Sequence, residues 1–574
     1  METVTLKIDG KEVTVEKGLT ILEAARRLNI HIPTLCYLKD VQAIGACRMC
    51  LVEIQGQRAL QASCVFPVAE GLVVKTNSAI VREARRAILE LLLSDHRMEC
   101  PTCARNLSCE LQALAEQYGI REISYKGDMS PVIVDRSSPS LVRDSGKCIL
   151  CRRCVAVCQE IQKVGVLFPS LRGFNTTIAP AFSDELSEVA CVYCGQCSLA
   201  CPVGAIVEKD DIQRVWDALT DPNKFVVVQT APAIRAAIGE EFGLEPGHAV
   251  TGKMTAALRR LGFDKVFDTQ FTADLTIIEE GHELINRVKN GGTLPLITSC
   301  SPGWIKFIEH FYPDLLPHLS TCKSPQQMFG AVAKTYLAEK VGKKPEEMVV
   351  VSIMPCTAKK FEAARPEMDD SGVQDVDIVL TTREAARMIK QAGINLLELE
   401  DEMFDDPLGE STGAGTIFAA TGGVMEAALR TVYEVVTKGT LPSLDFESVR
   451  GMEGVKAATV QAGDLPVKVA VAHGLGNARK VMDEIQVGKA DYHFIEIMCC
   501  PGGCLGGGGQ PIPTNWEIRN LRAKAVYEED RRLSIRKSHE NPFIKKIYEE
   551  FLVEPLGEKS HHLLHTHYTK RGAA

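Results

Sequence analysis

The stretch MCCPGGC at residues 498–504 places three cysteines among glycine and proline, and four further glycines follow at 506–509. Glycine has no side chain, so its backbone can approach a ligand closely and adopt dihedral angles that other residues avoid. Cysteine thiolates are the usual ligands of iron-sulfur clusters. This pattern predicts a loop folded closely around an inorganic cluster.

The chain has 21 cysteines, and most of them precede residue 202. In a secreted protein such a set would suggest disulfides. The N-terminus, METVTLKIDG, has no basic stretch followed by an apolar core, and no run approaches about 18 apolar residues. We therefore expect a cytoplasmic protein whose cysteines bind metal. The mild acidity of the chain, with a net charge of -9, gives no general case for nucleic-acid binding.

Eight cysteines between residues 148 and 201 repeat the spacing C-x2-C-x2-C-x3-C, and proline follows the last one. This is the pattern of bacterial ferredoxins with two 4Fe-4S clusters, in which the fourth cysteine of each run binds the other cluster. The first cluster is therefore assigned to Cys148, Cys151, Cys154 and Cys201. The second is assigned to Cys158, Cys191, Cys194 and Cys197.

A histidine and three cysteines precede this pair with the spacing H-x3-C-x2-C-x5-C, after a helical pattern at residues 80–93. Imidazole and thiolates are a sound ligand set for a 4Fe-4S cluster. Zinc is the rival metal for such a set, but the neighbouring clusters favour iron. The predicted ligands are His96, Cys100, Cys103 and Cys109.

The N-terminal residues predict a hairpin and a helix. Alternating runs at 4–8 and 13–15 flank the turn Asp9-Gly10, and apolar positions three and four apart occur at 20–28. Strands with one helix suit the β-grasp fold of plant-type ferredoxins. The four cysteines that follow, with gaps of ten, two and thirteen residues, predict a 2Fe-2S cluster. Its ligands are Cys36, Cys47, Cys50 and Cys64.

Beyond residue 211 only six cysteines remain, and strand-like runs such as 225–228 and 348–353 alternate with helical patterns. This alternation predicts an α/β domain with parallel strands. Candidate ligands follow the ends of predicted strands, in TSC at 298–300 and MPC at 354–356. Open α/β sheets place their sites at such strand ends.

Three segments together closely resemble the signature segments of the iron-only (FeFe) hydrogenases: TSCSPGW at 298–304, MPCTAKKFE at 354–362 and MCCPGGCLGGGGQP at 498–511. The upstream cysteine spacings also resemble the accessory clusters of the larger family members. The resemblance implies an H-cluster, a 4Fe-4S cluster joined through one cysteine to a diiron unit that carries CO, cyanide and azadithiolate. It assigns Cys356, Cys500 and Cys504 as ligands, with Cys504 as the bridging one.

The first segment departs from the usual family pattern, Thr-Ser-Cys-Cys-Pro, because this chain has Cys300-Ser301. By register, Ser301 takes the ligand position and Cys300 the proton-relay position. Three resolutions are open: Cys300 has become the ligand, Ser301 binds through oxygen, or the extra Cys499 compensates in one role or the other. Thiolate is the softer donor, so we expect Cys300 as ligand and Cys499 as the first proton donor.

The resemblance also implies a proton relay. Glu280, Glu283 and Arg287 share one face of a predicted helix, and they match family relay positions, as does Ser320. Without the resemblance, such a stripe would ordinarily be a solvated helix face. Lys359 matches a residue that contacts a cyanide ligand. The positions that match the pocket lining are Pro232, Gln326, Met354, Phe418 and Met498.

At 574 residues the chain is too long for one core, and we predict a multidomain α+β and α/β protein. The expected domains are a β-grasp 2Fe-2S domain at 1–78, a small helical His/Cys3 4Fe-4S domain at 79–125, a two-cluster bacterial ferredoxin domain at 139–210, and a large α/β H-cluster domain at 211–574. The expected cofactors are one 2Fe-2S cluster, three accessory 4Fe-4S clusters and the H-cluster.

The implied reaction is the reversible reduction of two protons to H2. No G-x-G-x-x-G fingerprint follows a predicted strand, so electrons should come from another protein. We expect the catalytic subunit of an NAD(H)- and ferredoxin-linked, electron-bifurcating complex, whose partners are flavin/NAD-binding and small iron-sulfur subunits together with maturation proteins. The alternatives are a stand-alone ferredoxin-dependent hydrogenase, a hydrogen sensor, or a non-catalytic iron-sulfur protein.

Overall fold

The N-terminal unit of the computed structural model, which describes residues 2–462 and 465–572, is a five-stranded sheet with one helix. The predicted hairpin is present, and its turn residues Asp9 and Gly10 both have positive φ, as a two-residue hairpin turn requires. Thr20 and Glu23 form a capping box at the start of the helix. The elements are β1 (Thr3–Ile8), β2 (Lys11–Glu16), α1 (Ile21–Arg27), β3 (Leu51–Ile54), β4 (Gln61–Ala62) and β5 (Val73–Lys75), in the sheet order β2-β1-β5-β3-β4.

Two helices and a set of short elements follow. The first helix realises the predicted helical pattern at 80–93. The elements are α2 (Ala79–Ser94), α3 (Glu110–Gln117), β6 (Val134–Asp135), β7 (Leu141–Asp144), α4 (Arg153–Ala156), β8 (Phe168–Ser170), β9 (Thr177–Ala179), α5 (Gln196–Ala200) and β10 (Ile206–Glu208). Strands β10, β7 and β6 form a small antiparallel sheet. The remaining backbone here consists largely of loops, which is where the predicted cluster ligands lie.

The catalytic half contains two four-stranded sheets. The first is fully parallel in the order β12-β11-β14-β15, and its strands are β11 (Phe225–Thr230), β12 (Lys265–Asp268), β14 (Met348–Met354) and β15 (Ile378–Thr381). The second has the order β13-β18-β17-β16, with β13 (Leu296–Ile297), β16 (Val455–Ala462), β17 (Leu465–His473) and β18 (Phe494–Met498). Only the β16–β17 pair in this second sheet is antiparallel. The predicted parallel α/β architecture is therefore confirmed.

Helices cover these sheets. In chain order they are α6 (Ile212–Thr220), α7 (Pro232–Arg235), α8 (Thr251–Leu261), α9 (Thr269–Asn290), α10 (Pro302–Phe311), α11 (Pro325–Val332), α12 (Ala338–Val341), α13 (Ala358–Ala363), α14 (Thr382–Gln391), α15 (Gly413–Ile417), α16 (Gly423–Thr437), α17 (Leu475–Gln486), α18 (Trp516–Arg532), α19 (Pro542–Ile547) and α20 (Glu558–Leu564). The long helix α9 is almost wholly buried along residues 269–284. None of the described helices has the length and apolar character needed to cross a membrane.

Candidate active site

The four N-terminal cysteines lie in two pairs. The Cys50 and Cys64 sulfurs are 3.3 Å apart, too far for a disulfide, and the Cys47 amide lies 3.5 Å from the Cys36 sulfur. The hydrogen bond from the partner thiol lowers the pKa of Cys47 to about 6 and that of Cys50 to about 7. Two thiol pairs, each with one readily ionised member, fit a 2Fe-2S cluster.

His96 lies in a buried position after α2, and its Nδ1 has no hydrogen-bond partner among the described residues. Burial lowers the pKa of the imidazole, which keeps the ring neutral, as a metal ligand must be. At Gly204, a side-chain Cβ would lie 2.6 Å from the Cys103 sulfur, so only glycine leaves this thiol its space. The orphaned nitrogen and the crowded thiol fit a metal cluster at this position.

The eight ferredoxin cysteines line two separate cavities. One cavity contains Cys148, Cys151, Cys154 and Cys201. The other contains Cys158, Cys191, Cys194 and Cys197. The structure thus brings together the same sets of four that the crossed ferredoxin pattern predicts, with the last cysteine of each run beside the first three of the other.

The main cavity of the catalytic half lies past the carboxyl ends of strands from both sheets. Strand β11 ends just before Pro232, β14 ends at Met354, and β18 ends at Met498, while Cys300 follows β13. Buried apolar and thiol side chains make up most of its wall. The predicted residues that line it are Pro232, Cys300, Gln326, Met354, Cys356, Lys359, Phe418, Met498, Cys499, Cys500 and Cys504, and Ser301 lies among them.

Cys300 and Cys499 both line this cavity but have different neighbours. Burial and, after it, the nearby charge of Glu280 raise the pKa of the Cys300 thiol. The Cys499 thiol instead contacts the sulfurs of Cys194 and Cys500. It fills space that Gly303 leaves open, since a Cβ there would lie 2.6 Å from its sulfur. The contacts of the Cys499 thiol thus lie with two predicted cluster ligands.

Ser301 precedes α10 as its N-cap residue, but its hydroxyl makes no capping bond with that helix. It instead accepts a hydrogen bond from the Cys499 amide, with N and Oγ 3.1 Å apart. The two positions at which the chain departs from the usual signature pattern are thus in direct contact.

The predicted relay residues form one connected group. The Ser320 hydroxyl donates to Glu283 Oε2 at 2.8 Å and also contacts Glu280. Arg287 Nη2 donates to Glu283 Oε1 at 2.6 Å, and Arg287 is the partly exposed member. Burial, reinforced by the charge of Glu283, raises the pKa of Glu280 to about 8. The group runs from the buried Glu280 to the partly exposed Arg287 and includes a carboxyl whose pKa suits a general acid or base.

Lys359 is held in place by Glu362, a residue that was not among the predicted site residues. Lys359 Nζ donates to Glu362 Oε2 at 2.8 Å and to the Cys300 carbonyl at 3.1 Å. Gln326 Nε2 also bonds Glu362, while Gln326 Oε1 has no partner in the part of the chain that the structure describes. Glu362 follows Lys359 by three residues on α13, so the charge spacing in MPCTAKKFE was an available signal.

Backbone segments from two clusters meet beside the cavity. Gly195, with φ of +69°, lies so close to its neighbours that a Cβ there would be 2.4 Å from Thr357 Oγ1 and 3.0 Å from the Gly508 Cα. Gly195 follows Cys194, and Thr357 follows Cys356. The ferredoxin cavity of Cys194 and the main cavity are therefore separated by little more than their own ligand loops.

Comparison with known families accounts for almost the whole chain. Residues 224–508 match the C-terminal domain of the iron-only hydrogenase large subunit, and 516–571 match the iron hydrogenase small subunit. Residues 1–79 match a 2Fe-2S iron-sulfur cluster binding domain, 85–124 the NADH-ubiquinone oxidoreductase-G iron-sulfur binding region, and 147–205 a 4Fe-4S dicluster domain.

Similar proteins agree with these matches. The NADP-reducing hydrogenase subunit HndD of Solidesulfovibrio fructosivorans is 54% identical over 100% of both chains. Iron hydrogenase 1 of Clostridium pasteurianum is 42% identical over 99% of this chain and 100% of its own. The solved structure of the apo [FeFe]-hydrogenase HydA1 from Chlamydomonas reinhardtii is 46% identical, covers 63% of this chain and 100% of its own, and superposes with a TM-score of 0.57. With these likenesses and the sulfur-lined cavity at the strand ends, the chain belongs to the iron-only (FeFe) hydrogenases and carries iron-sulfur domains ahead of its H-cluster domain.

Proposed function

We propose that this hydrogenase is the catalytic subunit of an electron-bifurcating complex, which exchanges electrons with NAD(H) or NADP(H) and ferredoxin through flavin-binding and small iron-sulfur subunits. The observation that carries the proposal is the full-length likeness to HndD, a subunit of an NADP-reducing hydrogenase. The close approach of the Cys194 and Cys356 loops at Gly195 supports electron delivery through the accessory clusters, which a stand-alone enzyme would share.

The test is reconstitution from purified parts under anaerobic conditions. The matured chain alone should evolve H2 from a reduced viologen dye. Evolution from NAD(P)H and reduced ferredoxin should require the added flavin- and iron-sulfur subunits. Equal rates from reduced ferredoxin with the chain alone would instead identify a stand-alone ferredoxin-dependent enzyme.

We propose one 2Fe-2S cluster, three accessory 4Fe-4S clusters and the H-cluster as the cofactors. The support is two thiol pairs, two four-cysteine cavities, and the buried His96, whose Nδ1 has no partner among the described residues and which precedes three cysteines in sequence. The domain boundaries at residues 78, 125, 139 and 210 are proposed on the same basis. Measurement of the iron and sulfide content of each domain of the matured chain tests the proposed number of clusters.

We further propose that Cys300 and Cys499 exchange the roles expected from sequence. Cys300 serves as the first protein proton carrier, because Glu280 is the charged neighbour with the largest effect on its thiol, whereas the Cys499 thiol contacts Cys194 and Cys500. Cys499 supplies the fourth thiolate of the 4Fe-4S part, beside Cys356, Cys500 and Cys504, because it lines the same cavity and thiolate suits iron better than a serine oxygen. The Ser301 hydroxyl then holds the Cys499 backbone through their hydrogen bond.

The remaining polar residues of the site orient the cofactor and move protons, and the apolar residues exclude water. When bound, the H-cluster supplies the open iron and the bridging amine at which H2 is formed or split. Lys359 presents a buried ammonium fixed by Glu362, and Gln326 adds an amide oxygen that has no partner among the described residues. Protons pass between Cys300 and the protein surface through Glu280, Ser320 and Glu283, and the partly exposed Arg287 holds Glu283 in place through their ion pair. Met354, Met498, Phe418 and Pro232 keep the cavity apolar.

A further inference from the structure

Lys306 is a buried cation that the proton relay and the cofactor cavity do not use. It lies on α10, five residues after Ser301, and is only 4% exposed. Its Nζ donates to His310 Nε2 at 3.1 Å, and His310 Nδ1 in turn donates to the Gly572 carbonyl at 3.2 Å. This imidazole is a neutral acceptor, and Lys306 forms no ion pair within the described chain. A buried ammonium without a counter-ion is costly, so its presence needs an explanation.

Two aromatic rings hold the ammonium in place. Lys306 Nζ lies 4.6 Å from the centroid of the Tyr193 ring and 5.7 Å from that of Phe361. The two rings contact each other, with centroids 5.4 Å apart. An aromatic face attracts a cation through its quadrupole but carries no net charge. The rings therefore position the ammonium without neutralising it.

These rings belong to the ligand loops of two clusters. Tyr193 follows Cys191 by two residues, and Phe361 follows Cys356 by five. The loops are also joined directly, because the Thr357 hydroxyl donates to the Tyr193 carbonyl at 2.7 Å. The ammonium of Lys306 thus lies where a ferredoxin cluster loop meets an H-cluster loop.

The charges nearby leave Cys191 as the main anionic partner of this lysine. Glu309, on the same helix, is bound by Arg365 at 2.7 Å and by Arg571 at 2.6 Å, so its charge is already balanced. Burial lowers the pKa of Lys306 to about 8. The attraction of a Cys191 thiolate opposes this shift more strongly than Glu309 does.

We propose that Lys306 is the counter-ion of the 4Fe-4S cluster of Cys158, Cys191, Cys194 and Cys197, and that its charge raises the reduction potential of this cluster. The inference rests on the proposed presence of that cluster. Reduction adds one electron and one negative charge to a cluster held by four thiolates, and it breaks no bond. A fixed positive charge in a buried environment stabilises the reduced form more than the oxidised form. Electrons from the other accessory clusters are then favoured beside the H-cluster.

An anaerobic redox titration followed by electron paramagnetic resonance tests this role, with the full chain carrying its iron-sulfur clusters but not the diiron unit. The signal of the cluster is the one lost in Cys158→Ala. Lys306→Met and Lys306→Gln remove the charge, and Lys306→Arg keeps it. The matched control is Lys340→Met, because Lys340 also lies over a tyrosine ring, 5.2 Å from the Tyr336 centroid, but is exposed and pairs with Glu550 at 2.7 Å.

We expect both neutral variants to lower the midpoint potential of this cluster. At a fixed potential the ratio of oxidised to reduced cluster should rise about tenfold or more, which is about 59 mV for a one-electron couple. Lys306→Arg and Lys340→Met should leave the potential close to that of the wild type. Loss of the cluster in both neutral variants, with retention in Lys306→Arg, would equally show that the cluster requires the charge.

An unchanged potential in Lys306→Met and Lys306→Gln overturns the inference, as does an equal shift in Lys340→Met. Loss of the cluster in all three Lys306 variants also overturns it, because the lysine then serves packing alone. A wild-type chain without any signal that depends on Cys158 would contradict the proposed cluster itself, and the role of Lys306 with it. Hydrogenase turnover does not enter the measurement.

Discussion

The amide of Cys499 donates a hydrogen bond to the Ser301 hydroxyl at 3.1 Å, although the two residues are 198 positions apart in sequence. One residue lies where the signature pattern ordinarily has a cluster-binding cysteine, and the other is an additional cysteine beside a ligand. Their contact means that the position that has gained a cysteine lies beside the position that lacks one. The simplest account of the pair is that Cys499 supplies, within the same cavity, the thiolate that position 301 lacks.

The first prediction distinguishes Cys300, Ser301 and Cys499 as candidates for the fourth ligand of the 4Fe-4S part of the H-cluster. Cys499→Ala should prevent assembly of a complete 4Fe-4S part in the H-cluster, whereas Ser301→Ala and Cys300→Ala should retain it. Cys300→Ala should lower turnover about 10²- to 10⁴-fold, the range for a lost proton carrier. Cys322→Ser, which alters a buried thiol outside the cavity, is the control for cluster assembly. Electron paramagnetic resonance of the chain without the diiron unit measures whether this 4Fe-4S part is assembled in each variant. Loss of the cluster in Cys300→Ala, but not in Cys499→Ala, would restore the assignment expected from sequence.

The second prediction concerns Glu280, whose pKa burial raises to about 8. Hydrogen evolution should fall as pH rises through about 8, since the carboxyl then no longer carries a proton inward. Glu280→Gln should lower turnover about 10²-fold or more and remove this pH dependence. The exposed substitution Glu339→Gln should change neither. A Glu280→Gln enzyme with the pH profile of the wild type would exclude this carboxyl from the relay.

The same residue predicts a stability effect of definite sign. Because the pKa of Glu280 is higher in the folded than in the unfolded chain, the folded state holds a proton that the unfolded state has lost between pH 4.5 and about 8. Its contribution to the free energy of unfolding therefore decreases as pH rises through this window. The melting temperature of Glu280→Gln minus that of the wild type should be higher at pH 8.5 than at pH 5, as measured by anaerobic circular dichroism. A constant difference between the two pH values would contradict the shift.

The third prediction concerns the Lys359–Glu362 ion pair, both members of which are nearly buried. Glu362→Ala leaves the ammonium without a counter-ion and should cost about 3 kcal/mol of stability. The double variant Lys359→Met/Glu362→Met should recover most of that loss, because apolar side chains replace a buried pair well. Infrared bands of the CO and cyanide ligands should show low cofactor occupancy in both variants. Full occupancy in the double variant would show that the ammonium has no part in holding the cofactor.

The fourth prediction tests the contact between the two cluster loops. Gly195 and Gly165 have nearly the same positive φ, +69° and +70°, but only at Gly195 would a Cβ strike a neighbour. Gly165→Ala should lose about 1–2 kcal/mol, the ordinary penalty for this conformation. Gly195→Ala should in addition displace the Thr357 segment and slow reduction of the H-cluster, followed by rapid-mixing spectroscopy. Equal behaviour of the two variants would mean that the contact does not matter for electron transfer.

Local signals made much of this architecture predictable. The turn at Asp9 and Gly10, the helix that starts after Thr20, and the parallel strands rich in valine follow from short-range preferences, and the structure confirms them. The cysteine groups were also predictable, because ligand spacing reflects the geometry of the cluster itself.

Contacts between distant segments were not predictable. The sequence could not decide which residue compensates for the serine at position 301. Cys499 comes close to Ser301 because their segments follow β18 and β13, which are parallel neighbours in one sheet. Glu362 differs from this case, because its spacing of three residues from Lys359 on one helix is a local signal of the sequence itself.

The most direct test of the central claim is hydrogen evolution by the anaerobically prepared chain after addition of the synthetic diiron cofactor, with reduced viologen as electron donor. A chain with all its iron-sulfur clusters but without diiron cofactor is the control. We predict rapid H2 evolution that depends on the cofactor and is absent from the control. Cofactor uptake with full iron content but no H2 evolution would contradict the assignment of this chain as a working hydrogenase.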